Sequence, residues 1–250
     1  MIDILSYQFT VSGLLILGLV ALLVGMAKTG VAGAGMIAVP LLAMVFGGRE
    51  STGIMLPMLI IADVLAVRHY HNSANWEHLK KLLPFAVIGV FLGTVIGGMV
   101  NDKVFKLAMA AIIFASLGIM IWQERTKDIA IPDNQWFAKG TGVLGGITTM
   151  IGNLAGPVMA VYLLAMRFPK EQFIGTAAWF FMTINVIKLP FHAFAWKTIT
   201  LHSLALNLLF LPMIGLGAYI GIKIISLLPE QAFRHFVIAM TGVAAISMLF

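Results

Sequence analysis

Long apolar runs joined by short polar stretches dominate the chain, and strict alternation is absent. Val11 to Gly48 is apolar except for Lys28, and Ser51 to Val67 carries one charge, Asp63. Leu82 to Val100, Leu107 to Trp122, Gly140 to Met166 and Thr198 to Ile222 carry none. Gln172 to Trp196 holds only Lys188, and Phe236 to Phe250 closes the chain. A helix crossing a bilayer needs about 20 apolar residues. Several of these runs are long enough, and the last one spans only with its flank from Pro229. The longest polar stretch, Gln123 to Lys139, reads as an interfacial linker. It divides the chain into a first repeat at 1–122, the linker at 123–139 and a second repeat at 140–250.

Two apolar runs are interrupted by glycine. The first reads Lys28-Thr29-Gly30-Val31-Ala32-Gly33-Ala34-Gly35, with Pro40 following. The second reads Gly145-Gly146-Ile147-Thr148-Thr149-Met150-Ile151-Gly152-Asn153, with Pro157 following. Glycine costs about 1 kcal/mol and proline about 3 kcal/mol in a helix interior. Broken backbone in a membrane is tolerated only where protein buries it or it lines a wet cavity. Paired breaks in matching halves point to a transporter's substrate site.

The halves align along their length. Pro40 matches Pro157, Gly53 matches Gly175, and Asp63 matches Asn185. Pro84, Gly89 and Gly93 match Pro212, Gly217 and Gly221, and Asp102 to Lys106 matches Glu230 to Arg234. If each broken segment is one spanning helix, loop Lys and Arg divide seven against seven. If each is a re-entrant hairpin, they divide ten against four, a positive-inside bias. The expected fold is therefore an all-α polytopic membrane protein of 8–10 membrane segments. It has two inverted repeats, each a glycine-rich re-entrant hairpin plus three transmembrane helices, with both termini outside.

Composition agrees. The 250 residues are 60% hydrophobic and 10% charged, with a mean hydropathy of +1.00. Soluble domains carry roughly 25% charged residues. The net charge of +6 is scattered through short loops and forms no nucleic-acid-binding block. Without cysteine there are no disulfides or thiolate metal sites. The start, Met1 to Ser6, has no basic stretch and does not read as a cleavable signal peptide.

A helix restarting after a break offers free N–H groups and the positive end of its dipole, which suits an anion. The candidate substrate contacts are Thr29, Gly30, Gly33 and Gly35 at the first break and Thr148, Thr149, Gly152 and Asn153 at the second. The two restarts are expected to face each other at the midplane. The competing reading is that the small residues serve close helix packing. Lys28 is either an anion's countercharge or a lysine snorkelling to the surface. Asp63 is a candidate coupling carboxylate that accepts a proton, or the partner of Lys28 or Arg68. Asn185 either contacts substrate or joins two helices. Lys188, on the same helical face, is a second substrate charge or an interfacial anchor. Arg68-His69-Tyr70-His71 with Glu77-His78 lacks metal-ligand spacing and reads as a titratable interfacial loop, so no metal and no cofactor is expected. Trp76, Trp122, Trp136 and Trp196 fall at segment ends, as an aromatic belt does. Gly89/Gly93 and Gly217/Gly221 fit small-xxx-small helix contacts.

The stretch from Gly30 to Pro40 resembles the N-terminal glycine-rich motif of the sulfite exporter TauE/SafE family, with Ala32 and Ala34 where that motif is usually denser in glycine. Thr148 to Pro169-Lys170, continuing through Phe173 to Phe181 and Asn185-Val-Ile-Lys188-Leu-Pro-Phe-His192, resembles the motif of the second half. The resemblance implies a multi-pass transporter of sulfite, thiosulfate or small organosulfonates in a bacterial-type cytoplasmic (inner) membrane, driven by the proton-motive force. The expected partners are a small anion, the lipid bilayer and protons; the oligomer is a monomer or homodimer. The expected function is secondary transport, in the export direction, by alternating access. A passive anion channel is the alternative, and an intramembrane enzyme the more distant one.

Overall fold

The computed structural model describes residues 2–4, 7–31, 33–99, 102–126 and 135–247. A short antiparallel hairpin, β1 (Ile2–Ile4) with β2 (Tyr7–Phe9), precedes the helices. It is the one departure from all-α among the described residues. Then come α1 (Val11–Lys28), α2 (Ala34–Phe46), α3 (Gly48–Tyr70), α4 (Trp76–Met99) and α5 (Asp102–Arg125). The second set is α6 (Gln135–Gly152), α7 (Ala155–Ala165), α8 (Lys170–Pro190), α9 (Leu201–Leu209), α10 (Leu211–Leu227) and α11 (Glu230–Ser247). A π-helical turn, Phe191–Ala195, extends α8. Both ends of the expected linker are helical, since α5 runs to Arg125 and α6 begins at Gln135; residues 127–134 lie outside the described residues.

Among the described residues, four helices are long and apolar enough to cross a membrane: α1, α3, α4 and α8 with their flanks. A fifth forms if α9 and α10, bent by 52°, count as one span. The outer faces fit lipid. Phe91, Val95 and Met99 on α4 and Leu208, Leu216 and Tyr219 on α9 and α10 are exposed apolar side chains.

Each glycine-broken segment is a helical hairpin. Tyr7 and Phe9, just before α1, make edge-on ring contacts with Phe46 at the end of α2. Phe137, at the start of α6, stacks on Tyr162 near the end of α7. In both cases the beginning of the first helix lies beside the end of the second, so each segment turns back on itself. The helices α1 and α6 have 18 residues each. At 1.5 Å per residue each reaches about 27 Å, close to the ~30 Å of a hydrocarbon core.

The helices following the hairpins, α3 and α8, are antiparallel neighbours. Asp63 meets Asn185 midway, Gly175 near the start of α8 lies against Tyr70 and Ser73, and Gly53 near the start of α3 lies against Thr198. Because each follows its own hairpin directly, the two hairpin bases lie at opposite ends of this pair.

Reciprocal seams fix the hairpins. Gly89 lies on the carbonyl of Val143, and Gly217 lies the same way on the carbonyl of Leu22. Gly93 meets Ile147 and Met150, as Gly221 meets Met26 and Thr29. Gly146 faces the Ala86 carbonyl, and Gly25 the Ile214 carbonyl. Thus α6 packs on α4 and α1 on α10, backbone to backbone, where a Cβ would not fit. This register corrects two sequence readings. The second break is only Asn153 and Leu154, so Gly145, Gly146, Thr148, Thr149 and Gly152 belong to a continuous helix. Gly146 is there because α4 must approach. Pro40 lies in the middle of α2 and Pro157 in the first turn of α7, so the prolines occupy different places. Proline is well tolerated only in the first turn.

Candidate functional site

Lys28, Asp63, Asn185 and Lys188 are brought together from α1, α3 and α8. The ammonium of Lys28 lies 3.0 Å from Asp63 Oδ1. Asn185 donates its amide to Asp63 Oδ2 at 2.6 Å. Lys188 Nζ donates to Asn185 Oδ1 at 3.3 Å, to Thr149 Oγ1 at 3.1 Å and to Asn153 Oδ1 at 2.6 Å. Asn153 in turn donates to the carbonyl of Thr52 at 3.1 Å. The result is one continuous polar network joining both hairpins to α3 and α8.

Burial decides between the readings left open by the sequence. The side chain of Asp63 is 0% exposed, that of Lys28 10%, and Lys188 is 0% exposed. Lys28 therefore does not snorkel and Lys188 is not an interfacial anchor. Asp63 pairs with Lys28 rather than Arg68. Two ammonium groups against one carboxylate leave a formal charge of +1 in this interior, and a buried charge is costly unless paired.

An ammonium has three donors, and Lys188 spends them on Thr149, Asn153 and Asn185. Those contacts turn the Asn153 and Asn185 carbonyl oxygens toward Lys188, which leaves the second amide hydrogens of Asn153 and Asn185 and the hydroxyl hydrogen of Thr149 for other partners. Lys28 makes one ion pair and lies 4.1 Å above the ring centroid of Phe181, a cation–π position.

Beside the network is a cavity of about 100 Å³. One water needs roughly 10–15 Å³ by the same measure, so a small oxyanion fits. Lys28, Gly30, Gly33 and Gly35 line it from the first hairpin; Thr149, Asn153 and Gly156 line it from the second; Asn185 lines it from α8. The helices α2 and α7 both begin here, and neither has a side-chain cap at its N-terminus. Gly33 holds φ at +92°, and a Cβ on it would strike the Met240 backbone. Asn153 also has positive φ, at 56°, a region asparagine tolerates.

The remaining expected residues stand behind the wall. Thr29 bonds back to the Gly25 and Met26 carbonyls, and its own carbonyl accepts from the Tyr70 hydroxyl. Thr148 bonds to the Gly145 carbonyl. Gly152, Asp63 and Lys188 do not line the cavity. Most of the wall is apolar, and the sequence reading did not single it out: Met36, Met55, Met159, Phe173 and Phe181 among others. Leu59 and Phe181, one helical turn before Asp63 and Asn185, are members whose spacing points to the same faces.

The expected histidine loop is also revised. His78 is buried and hydrogen-bonded through Nδ1 to the Tyr162 hydroxyl at 2.7 Å, tying α4 to the second hairpin. Among the described residues no group of three or more His, Cys, Asp or Glu is placed to hold a metal. Trp76, Trp122 and Trp136 are exposed at helix ends, whereas Trp196 fills the notch at Gly97 and donates to the Thr94 carbonyl.

Compared with known proteins, residues 17–248 match a family model described as Sulfite exporter TauE/SafE. No curated protein and no solved structure matches the chain.

Proposed function

The chain belongs to the sulfite exporter TauE/SafE family, and from that membership, which implies a multi-pass membrane transporter of sulfur anions, we propose a secondary exporter that binds its anion between the two hairpins. The observation that carries this reading is the formal +1 network of Lys28, Asp63 and Lys188 beside a cavity where two uncapped helices begin. Lys28, Thr149 and Asn153 supply side-chain donors, and the starts of α2 and α7 supply the dipoles. Asp63 holds Lys28 and is the carboxylate through which proton coupling would act. An inside-negative potential favours outward movement of an anion by ~2.3 kcal/mol per charge per 100 mV, which supports export from an inner membrane.

The two sets of helices are proposed to be inverted repeats, 1–122 and 140–250. Support comes from the antiparallel pairing of α3 with α8 and from hairpin bases at opposite ends of that pair. The native chain has no cysteine, so single cysteines report sidedness. Gln8→Cys is expected to react with an impermeant maleimide from outside intact cells, and Asn72→Cys only after permeabilisation. Labelling of both from the same side rules the inversion out.

Transport is tested in proteoliposomes with sulfite, thiosulfate, sulfoacetate, taurine and sulfate compared. Saturable flux of at least one sulfur anion is expected. Asn153→Ala removes a cavity donor and a Lys188 acceptor, and should raise the half-saturating concentration at least tenfold. Flux that never saturates identifies a channel instead, and absence of flux for all five removes the anion reading.

A further inference from the structure

We propose that Asp63 is a specificity-determining residue that sets the valence of the bound anion at one. The inference rests on the anion site described above and goes beyond it, because it says which anions that site refuses. With Lys28 and Lys188 as ammonium groups and Asp63 as carboxylate, a bound monoanion brings the formal charge of the network to zero. A dianion leaves it at −1 beside a carboxylate and an ammonium that are themselves 0% exposed. Asp63 is 0% exposed and both its oxygens are engaged, one by Lys28 and one by Asn185. It neither turns away nor recruits a further cation among the described residues to offset the second charge.

The cavity wall argues in the same direction independently. Desolvation cost rises with the square of the charge in a Born picture, so a dianion gives up about four times the hydration of a monoanion of the same size. Recovering it requires many donors. Here Met36, Met55, Met159, Phe173 and Phe181 present apolar surface, and Lys188 has no donor to add, since Thr149, Asn153 and Asn185 take all three. What remains is one ammonium, three neutral donors (one hydrogen each from Thr149, Asn153 and Asn185) and two helix starts, a small set that suits a weakly hydrated monoanion.

The test uses two anions of nearly the same shape, methanesulfonate and methylphosphonate, at pH 8.5, where the first is a monoanion and the second mainly a dianion. Binding of each is measured on the purified full chain by isothermal titration, and uptake is followed in proteoliposomes. The unmodified protein is expected to bind methanesulfonate at least tenfold more tightly than methylphosphonate. Asp63→Asn, which keeps the shape and removes the charge, should shrink that ratio at least tenfold, mainly by tighter binding of methylphosphonate. Equal affinity for the two anions in the unmodified protein overturns the proposal while leaving the anion site standing, and so does an unchanged ratio in Asp63→Asn. If that variant does not fold, the ratio in the unmodified protein decides alone. If neither anion binds, the anion site itself falls, and the valence rule with it.

Discussion

Lys28→Met is expected to destabilise the protein by about 3–5 kcal/mol, because it leaves Asp63 buried with Asn185 as its remaining partner. The same change should weaken anion binding ten- to a hundredfold, as the loss of a hydrogen bond from a charged donor of about 1.5–3 kcal/mol implies. The two effects separate in the double variant Lys28→Met/Asp63→Asn. It removes the orphaned carboxylate, so thermal stability in detergent should return most of the way. Anion binding should not return, because Lys188 does not line the cavity and its donors are already committed. If binding recovers together with stability, Lys28 serves folding and does not contact the anion. If the single variant melts as the parent does, the pair is not the buried contact described here.

Gly146→Leu is expected to cost about 3 kcal/mol or more, at or above the usual range for overpacking. The added side chain would stand on the Ala86 carbonyl and the Gly89 Cα, and backbone cannot step aside as a flexible side chain can. Gly25→Leu, against the Ile214 carbonyl, should behave alike on the opposite seam. Gly118→Leu is the control: it has open space around it in the middle of α5. There the better helix propensity of leucine should leave stability unchanged or raise it by up to about 1 kcal/mol. Equal melting of Gly146→Leu and Gly118→Leu would show that the seam is not close-packed.

Much of this was legible in the residues because it follows from local chemistry. Apolar length announced the membrane class, the two glycine breaks announced the hairpins, and Lys28, Asp63 and Lys188 stood out as isolated charges in apolar runs. The partners were less legible. Lys188 looked better suited to an interface because its burial depends on α6 and the tip of the second hairpin, both distant in the chain. The glycines at 145 and 146 looked like part of the break because composition does not distinguish a glycine that bends a helix from one that admits a neighbour. His78 looked like a loop residue until Tyr162 was seen to receive it. Most of the apolar wall of the cavity was invisible for a simpler reason: in a chain this hydrophobic, Met36 and Met159 do not stand out from residues that face lipid.

The exchanged seams bear on how the protein is made. The helix α1 enters early in synthesis, yet its close partner α10 lies in the last fifth of the chain, and α4 likewise waits for α6. Long-range pairings of this kind are slow to close. Until α10 arrives, the small-residue face of α1 has no seat within its own half, although Lys28 already has Asp63 there. Neither half, severed in the stretch between α5 and α6, holds what its own hairpin needs. Each should persist only when the other is synthesised beside it, so assembly is a mutual capture late in biogenesis, not the docking of two finished halves.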